Sequence, residues 1–248
     1  MKLRILPIII AALVGLVVSL VVPAAAPQLA SRAEAAGWRS CAVRLDGIRT
    51  KVAARQRTVT IVNQTSRTYA RVSFWVRREH RACSFDRKFL TRTARIGYGG
   101  TVVGTKRRQS TGTTPLGTYT MTEAFGNGPA PGMWLPYHRV RKGDYWVEDN
   151  ASRYYNTLRN RSQGGFRWSL PSSSRNGSEY LPHYRDQYRY AVVINFNRPP
   201  GAIRYRGAGI FLHVKSSGPT AGCVGITRRQ MRIVMAYLKP GDKITIAR

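Results

Sequence analysis

Cysteine attacks an acyl carbon as its thiolate, and an imidazole within reach can take the thiol proton. One short stretch of this chain sets out that pair. Gly209-Ile-Phe-Leu-His213 is an apolar run ending in histidine, and Cys223 follows ten positions later, after Gly218-Pro219-Thr220-Ala-Gly222. A strand, a tight loop and a second strand would bring the two side chains together. The chemistry is then acyl transfer on a cysteine. Ile210, Phe211 and Leu212 make a stiff, dry support for His213, and Gly222 lets substrate or backbone approach the sulfur closely. Amides near Cys223 can point at a developing oxyanion, and the Thr220 hydroxyl can bond the loop or the substrate. No Asp or Glu occurs between Ala191 and Ile226. The group orienting the histidine is therefore expected to be a backbone carbonyl or a side-chain amide, with Asn195 a candidate.

The elements that must hold this pair read as mostly β. Arg57 to Asn63 and Tyr69 to Arg77 alternate apolar and polar residues around a polar turn, as in a hairpin. Thr101 to Gly104 and Thr118 to Thr122 are further short strands. Gly126 to Gly132 is a loop, leading into an aromatic patch whose Trp134 and Tyr137 are candidates to line a cleft. Residues 150–187 show no period, and such a segment inside a compact domain is usually functional or mobile. Tyr188 to Phe196 alternates as a strand with Tyr188, Tyr190, Val192, Ile194 and Phe196 on one face. Ala208 to Val214 is apolar enough to be central. Thr227 to Gln230 matches a capping box, and Met231, Val234, Met235 and Leu238 follow as one helical stripe. Lys239-Pro240-Gly241-Asp242 stops that helix, and Lys243 to Ala247 returns as a strand. The expectation is a mostly-β domain with one clear helix, about 227–238, beside the cysteine loop.

The N-terminus has the form of an export signal: Lys2 and Arg4, an apolar run from Ile5 to Val22, then Ala33-Glu34-Ala35 as a cleavage site. A retained membrane anchor is the alternative, and both put the rest of the chain outside the cytoplasmic membrane. Residues 36–55 read as a short basic lead-in and 56–248 as one domain. An oxidising compartment favours a Cys41–Cys83 disulfide, leaving Cys223 as the free thiol. The chain carries 41 Lys+Arg against 11 Asp+Glu, and such a surface collects polyanions. Outside a cell those are anionic wall polymers or lipid headgroups.

Taken together, the motifs resemble a known family. Thr220-Ala-Gly222-Cys223-Val224, preceded by Ile210-Phe-Leu-His213, is similar to the YkuD-type L,D-transpeptidase catalytic domain, in a branch with short histidine-to-cysteine spacing. Thr114-Pro115-Leu-Gly117-Thr-Tyr119, Trp146-Val-Glu-Asp149 with Tyr155-Asn156, and Glu179 through Asn195 extend the likeness over about residues 57–247. The resemblance implies a sandwich-like β fold and acyl transfer on peptidoglycan stem peptides without metal or organic cofactor. Cys223 would form a thioester with release of D-alanine, His213 would move protons, and the Gly222 and Cys223 amides would hold the oxyanion. An amine on a second stem would then give a 3→3 crosslink. Tyr155 and Asn156 join Trp134 and Tyr137 as candidate substrate contacts. The better-known pattern has His or Lys two before the cysteine and Arg or Asn two after it. Here those places hold Ala221 and Gly225, which leaves water as an alternative acceptor and L,D-carboxypeptidase as an alternative activity.

A rival of another class is a non-catalytic wall-binding module, using the basic surface with Trp134, Tyr137, Trp146, Tyr154 and Tyr155 as a stacking platform. His80, His138, His183 and His213 lack metal-ligand spacing and the cysteines form no C-x2-C pair, so no metal is expected. His80 and His138 read as ordinary surface or cleft residues, and His183 as a candidate for the cleft edge. Specific nucleic-acid binding rests on charge alone and is disfavoured by the export signal.

Overall fold

A computed structural model describes residues 38–79 and 83–248. The expected export segment at 1–35 and His80 lie outside the described residues.

The stretch read as a lead-in is a folded hairpin. Strands β1 (Cys41–Leu45) and β2 (Ile48–Val52) pair antiparallel around Asp46-Gly47. Both turn residues have positive φ, the conformation a two-residue hairpin turn requires. Leu45 and Val52 are buried against Val59 and Ile61, while Arg44, Arg49 and Lys51 face solvent. A disulfide joins Cys41 to Cys83 across 42 positions and fastens the hairpin to the body of the domain.

The body is one long sheet. Strands β3 (Thr58–Gln64) and β4 (Tyr69–Arg77) form the expected hairpin. After them come β5 (Phe85–Arg95), β6 (Thr101–Val103), β7 (Thr114–Gly126) and the short β8 (Tyr137–Arg139). Strands β9 (Asp144–Trp146), β10 (Leu158–Asn160) and β11 (Glu179–Tyr180) make a separate three-stranded sheet within the aperiodic segment. Strands β12 (Ala191–Ile194), β13 (Phe211–Val214) and β14 (Val224–Ile226) lead to helix α1 (Arg228–Tyr237) and strand β15 (Asp242–Ala247). In the main sheet the order runs β12-β13-β14-β5-β4-β3-β15-β7-β6, and β12 also pairs with β7. The expected sandwich is thus a sheet that closes on itself through that last pairing.

Side chains alternate across a strand, and here the alternation sorts two chemistries. Val192, Ile194, Leu212, Val224 and Ile226 point into a core shared with Met231, Val234 and Met235 of α1 and with Leu238 at its C-cap. The helix starts on the expected capping box, Thr227 accepting from the Gln230 amide and the Gln230 side chain reaching back. Ala191, Val193, Phe211 and Cys223 face the other way, into an aromatic cluster with Phe125, Trp146, Tyr155 and Tyr188. Tyr188 departs from the expected strand. Residues 187–189 form a 3-10 turn, which swings its ring onto Phe125 and Phe211 rather than beside Tyr190.

A crosslink over a loop of this length restricts the unfolded chain by about 4 kcal/mol. Replacing Cys41 and Cys83 with serine should lower Tm by on the order of 10 °C. An unchanged melting curve would show that the bridge contributes nothing.

Candidate active site

The two strands carrying the expected pair lie side by side and parallel, with Leu212 opposite Val224 and His213 opposite Gly225. With a period of two, Phe211, His213, Cys223 and Gly225 share one face, and His213 stands diagonally beside Cys223. Both are buried, and both line a cavity of about 520 Å³. The floor is rigid: Phe211 contacts Phe125, Trp146 and Tyr188 edge to face at 4.8–5.6 Å.

The orienting group for His213 is the carbonyl of its neighbour. Nδ1 lies 2.8 Å from Val214 O, which fixes Nδ1 as the donor and leaves Nε2 as the basic nitrogen. Asn195 is not involved, because its amide is bonded to Thr120 and Thr122 at 2.9 and 3.0 Å. The Cys223 thiol donates to Gly209 O and accepts from the Phe211 amide, both at 3.3 Å. At rest, therefore, backbone rather than the imidazole holds the sulfur.

Burial keeps this pair uncharged. It lowers His213 to about 4, with the Val214 carbonyl opposing only in part. It also pushes the Cys223 thiol well up, reinforced by the carboxyl of Glu179. Glu148 and Glu179 line the same cavity, two of only 11 acidic residues in the chain. Burial raises them to about 8 and about 7, Glu148 also feeling Glu179. Tyr188 donates to Glu179 at 2.6 Å and meets His213 edge to face at 5.5 Å, which links the carboxyl to the imidazole.

The loop before Cys223 is held from several sides. Thr220 Oγ1 donates to Cys223 O at 2.7 Å and accepts from the Gly222 amide at 3.2 Å. That amide is thus already engaged and does not stand ready as an oxyanion donor. Thr220 also bonds through its backbone to Ile96 and Tyr98. Arg95, opposite Gly225 on β5, donates from Nε to Gly218 O at 3.0 Å and stacks on Tyr69.

The other expected contacts fall elsewhere. Trp134 is 58% exposed and stacks with Lys239, outside the cavity wall. Tyr137 spends its hydroxyl on Gly128 O, also outside that wall. Tyr155 and Asn156 are buried supports rather than substrate contacts. Tyr155 accepts from the Gly207 amide, and Asn156 Oδ1 takes both Trp146 Nε1 and the Gly209 amide. Asn156 Nδ2 donates to Phe196 O and Asn197 O. With Trp146 and Tyr155 in the interior, the five aromatic residues form no shared platform. His138 pairs with Asp144 at 2.8 Å, and His183 packs on Tyr180 away from the cavity wall.

The L,D-transpeptidase catalytic domain (YkuD) family matches residues 71–246. The chain belongs to that family. Among solved structures it is similar to the crystal structure of Mycobacterium tuberculosis L,D-transpeptidase 1, at 14% identity and a TM-score of 0.33. The alignment covers 77% of this chain and 62% of that one, less than two thirds of its length. No curated protein matches.

Seen as a YkuD domain, the chain has a physical reason for its departure at Gly225. A Cβ there would meet Lys215 Cβ at 3.0 Å and Lys215 Cα at 3.1 Å, so the arginine or asparagine of the better-known pattern would need Lys215 to give way by a few tenths of an ångström. Arg95 ties down the loop from the neighbouring strand instead. Sequence reading missed Arg95, Arg107, Glu148 and Glu179. None lies near Cys223 in sequence, and although Glu148 and Glu179 fall within the segments that carry the family likeness, nothing local to them marks a site role.

Asn156 gives a direct test of the corrected roles. Asn156→Ala should cost on the order of 3 kcal/mol, because it strands buried donors and acceptors. A substrate-contact role predicts weaker substrate binding with an unchanged Tm.

The cavity charges give a second test. Glu148 and Glu179 hold protons in the folded protein that the unfolded chain has already lost above about pH 4.5. Their stabilising effect is complete below that pH and fades as pH rises through about 7 and 8. His213 acts oppositely, adding stability as pH rises from about 4 to its unfolded value near 6.5. Between pH 6.5 and 8, then, Tm should fall with rising pH. Combining Glu148→Gln with Glu179→Gln should flatten that slope, and an unaltered slope would contradict the assignment.

Proposed function

We propose that this protein is an exported L,D-transpeptidase acting on peptidoglycan stem peptides. The observation that carries the reading is the shared face of β13 and β14, which points Cys223 and His213 into one walled cavity. The family membership supports the reaction class. The Cys41–Cys83 disulfide supports an oxidising compartment, in line with the N-terminal pattern.

In the first half-reaction the Cys223 thiol passes its proton to His213 Nε2 as sulfur attacks the carbonyl that precedes the terminal D-alanine. Burial keeps thiol and imidazole uncharged at rest, so thiolate forms only as the new C–S bond does. The oxyanion is placed against the backbone at Cys223, since the Gly222 amide is engaged by Thr220. The C–N bond then breaks, and His213 gives its proton to the leaving nitrogen, releasing D-alanine and leaving a thioester. In the second half-reaction an amine of a neighbouring stem attacks the thioester and loses its proton to His213. Sulfur departs and regains that proton, and the product is a 3→3 crosslink. Water in place of the amine gives the carboxypeptidase reaction through the same thioester. The surplus of basic residues would hold the enzyme near anionic wall polymers or membrane surface by long-range attraction, and no nucleic-acid specificity is assigned.

Incubation of the protein with disaccharide-tetrapeptide, followed by mass spectrometry, tests the assignment. Loss of D-alanine with crosslinked dimer is expected, and neither should occur with Cys223→Ala. Tripeptide without dimer would make the enzyme a carboxypeptidase. Turnover surviving in Cys223→Ala would remove the cysteine from the mechanism.

A further inference from the structure

Arg107 is a buried cation in the cavity wall that this mechanism leaves unused. It stands in the loop after β6, 5% exposed, in a socket that fixes its guanidinium. Nε donates to Thr113 O at 2.7 Å, Nη1 donates to Arg206 O at 3.1 Å, and the Phe196 ring lies behind. Two glycines with positive φ make room for it. A Cβ on Gly207 would overlap Nη1, and one on Gly222 would come within 2.9 Å of Nη2. Nη2 therefore abuts the residue before Cys223, in the wall of the same cavity. Among the described residues it has no hydrogen-bond acceptor, and no carboxylate lies within ion-pair distance of Arg107. Glu148 is the acidic group that acts on it electrostatically, and burial biases that carboxyl toward its neutral form.

A fixed guanidinium with one free nitrogen can receive a carboxylate oxygen through a charge-assisted hydrogen bond. In a stem that ends one residue past the scissile bond, the terminal carboxylate follows the attacked carbonyl by a single residue, ~3.5 Å of chain. Its receptor must therefore stand beside the nucleophile, as Nη2 does. We propose that Arg107 binds the C-terminal carboxylate of the acyl donor and so selects stems with one residue beyond the scissile bond. This rests on the acyl-transfer reading above and names the donor-recognition residue for it. Lengthening the stem by one residue would carry the carboxylate past the guanidinium, and amidation would remove its charge.

The test compares a tetrapeptide donor with its C-terminal carboxamide. Wild type should favour the acid in kcat/KM by about tenfold or more, the worth of one charge-assisted contact. Arg107→Gln should erase the preference, mainly by slowing the acid. Equal use of acid and amide by wild type would overturn the proposal, even if the variant did not fold. Loss of both donors by the same factor in a folded Arg107→Gln would also overturn it, making Arg107 an oxyanion or scaffold group. Calorimetric binding of the two donors to Cys223→Ala protein, with and without Arg107→Gln, should give the same ratio without turnover. If wild type releases nothing from either donor, the acyl-transfer reading fails, while the calorimetric ratio still decides the carboxylate site. A ratio of one would reject it.

Discussion

The parallel register between β13 and β14 is the constraint on which the site depends. Strand side chains repeat every two residues, so Leu212, Val224 and Ile226 can fill the core only if His213 and Cys223 leave it. A slip of one residue would bury the imidazole among methionines and turn Leu212 into the cavity. The core resists this because burying each large aliphatic side chain is worth about 1.5–3 kcal/mol. The packing of α1 against that face thus holds the chemistry on the opposite one. Gly225 completes the arrangement by leaving room for Lys215 and the loop that returns to Cys223.

The same burial sets the electrostatics. A thiol and an imidazole in water would exchange a proton readily, but this cavity disfavours both resulting charges. The sulfur rests between two backbone groups, and the histidine is anchored to its neighbour's carbonyl. Glu148 and Glu179 are pushed toward their neutral forms by their own burial. In a chain of net charge +30, the acids of the site are thus held back toward their neutral forms, while Arg107 is a buried cation in its wall. At Cys223 and His213, charge appears only when bond making stabilises it.

Much of this was readable from residue order. Alternation foretold the β3–β4 hairpin, the capping box foretold the start of α1, and the histidine strand and cysteine loop lie next to each other as their spacing suggested. Local pattern failed where tertiary contacts decide. Val43, Leu45, Ile48 and Val52 alternate well enough for two strands, but the arginines and lysine between them make the segment read as a basic lead-in. Tyr188 continues the β12 alternation in sequence, yet a 3-10 turn sends it to the aromatic cluster. Asn156 and Tyr155 looked like polar groups awaiting a substrate, and backbone amides from distant segments claim them instead. Arg95, Arg107, Glu148 and Glu179 converge from four separate segments, and no spacing rule links them.

The alkylation rate of Cys223 as a function of pH tests the neutral resting pair most directly, since the other two cysteines are joined. A neutral pair should react slowly with iodoacetamide at pH 7, the rate rising with pH beyond 9 without a plateau at neutral pH. A fast rate that is constant from pH 5 to 8 would mean a preformed thiolate–imidazolium pair. That result would contradict the electrostatic picture and move proton transfer to before substrate arrives.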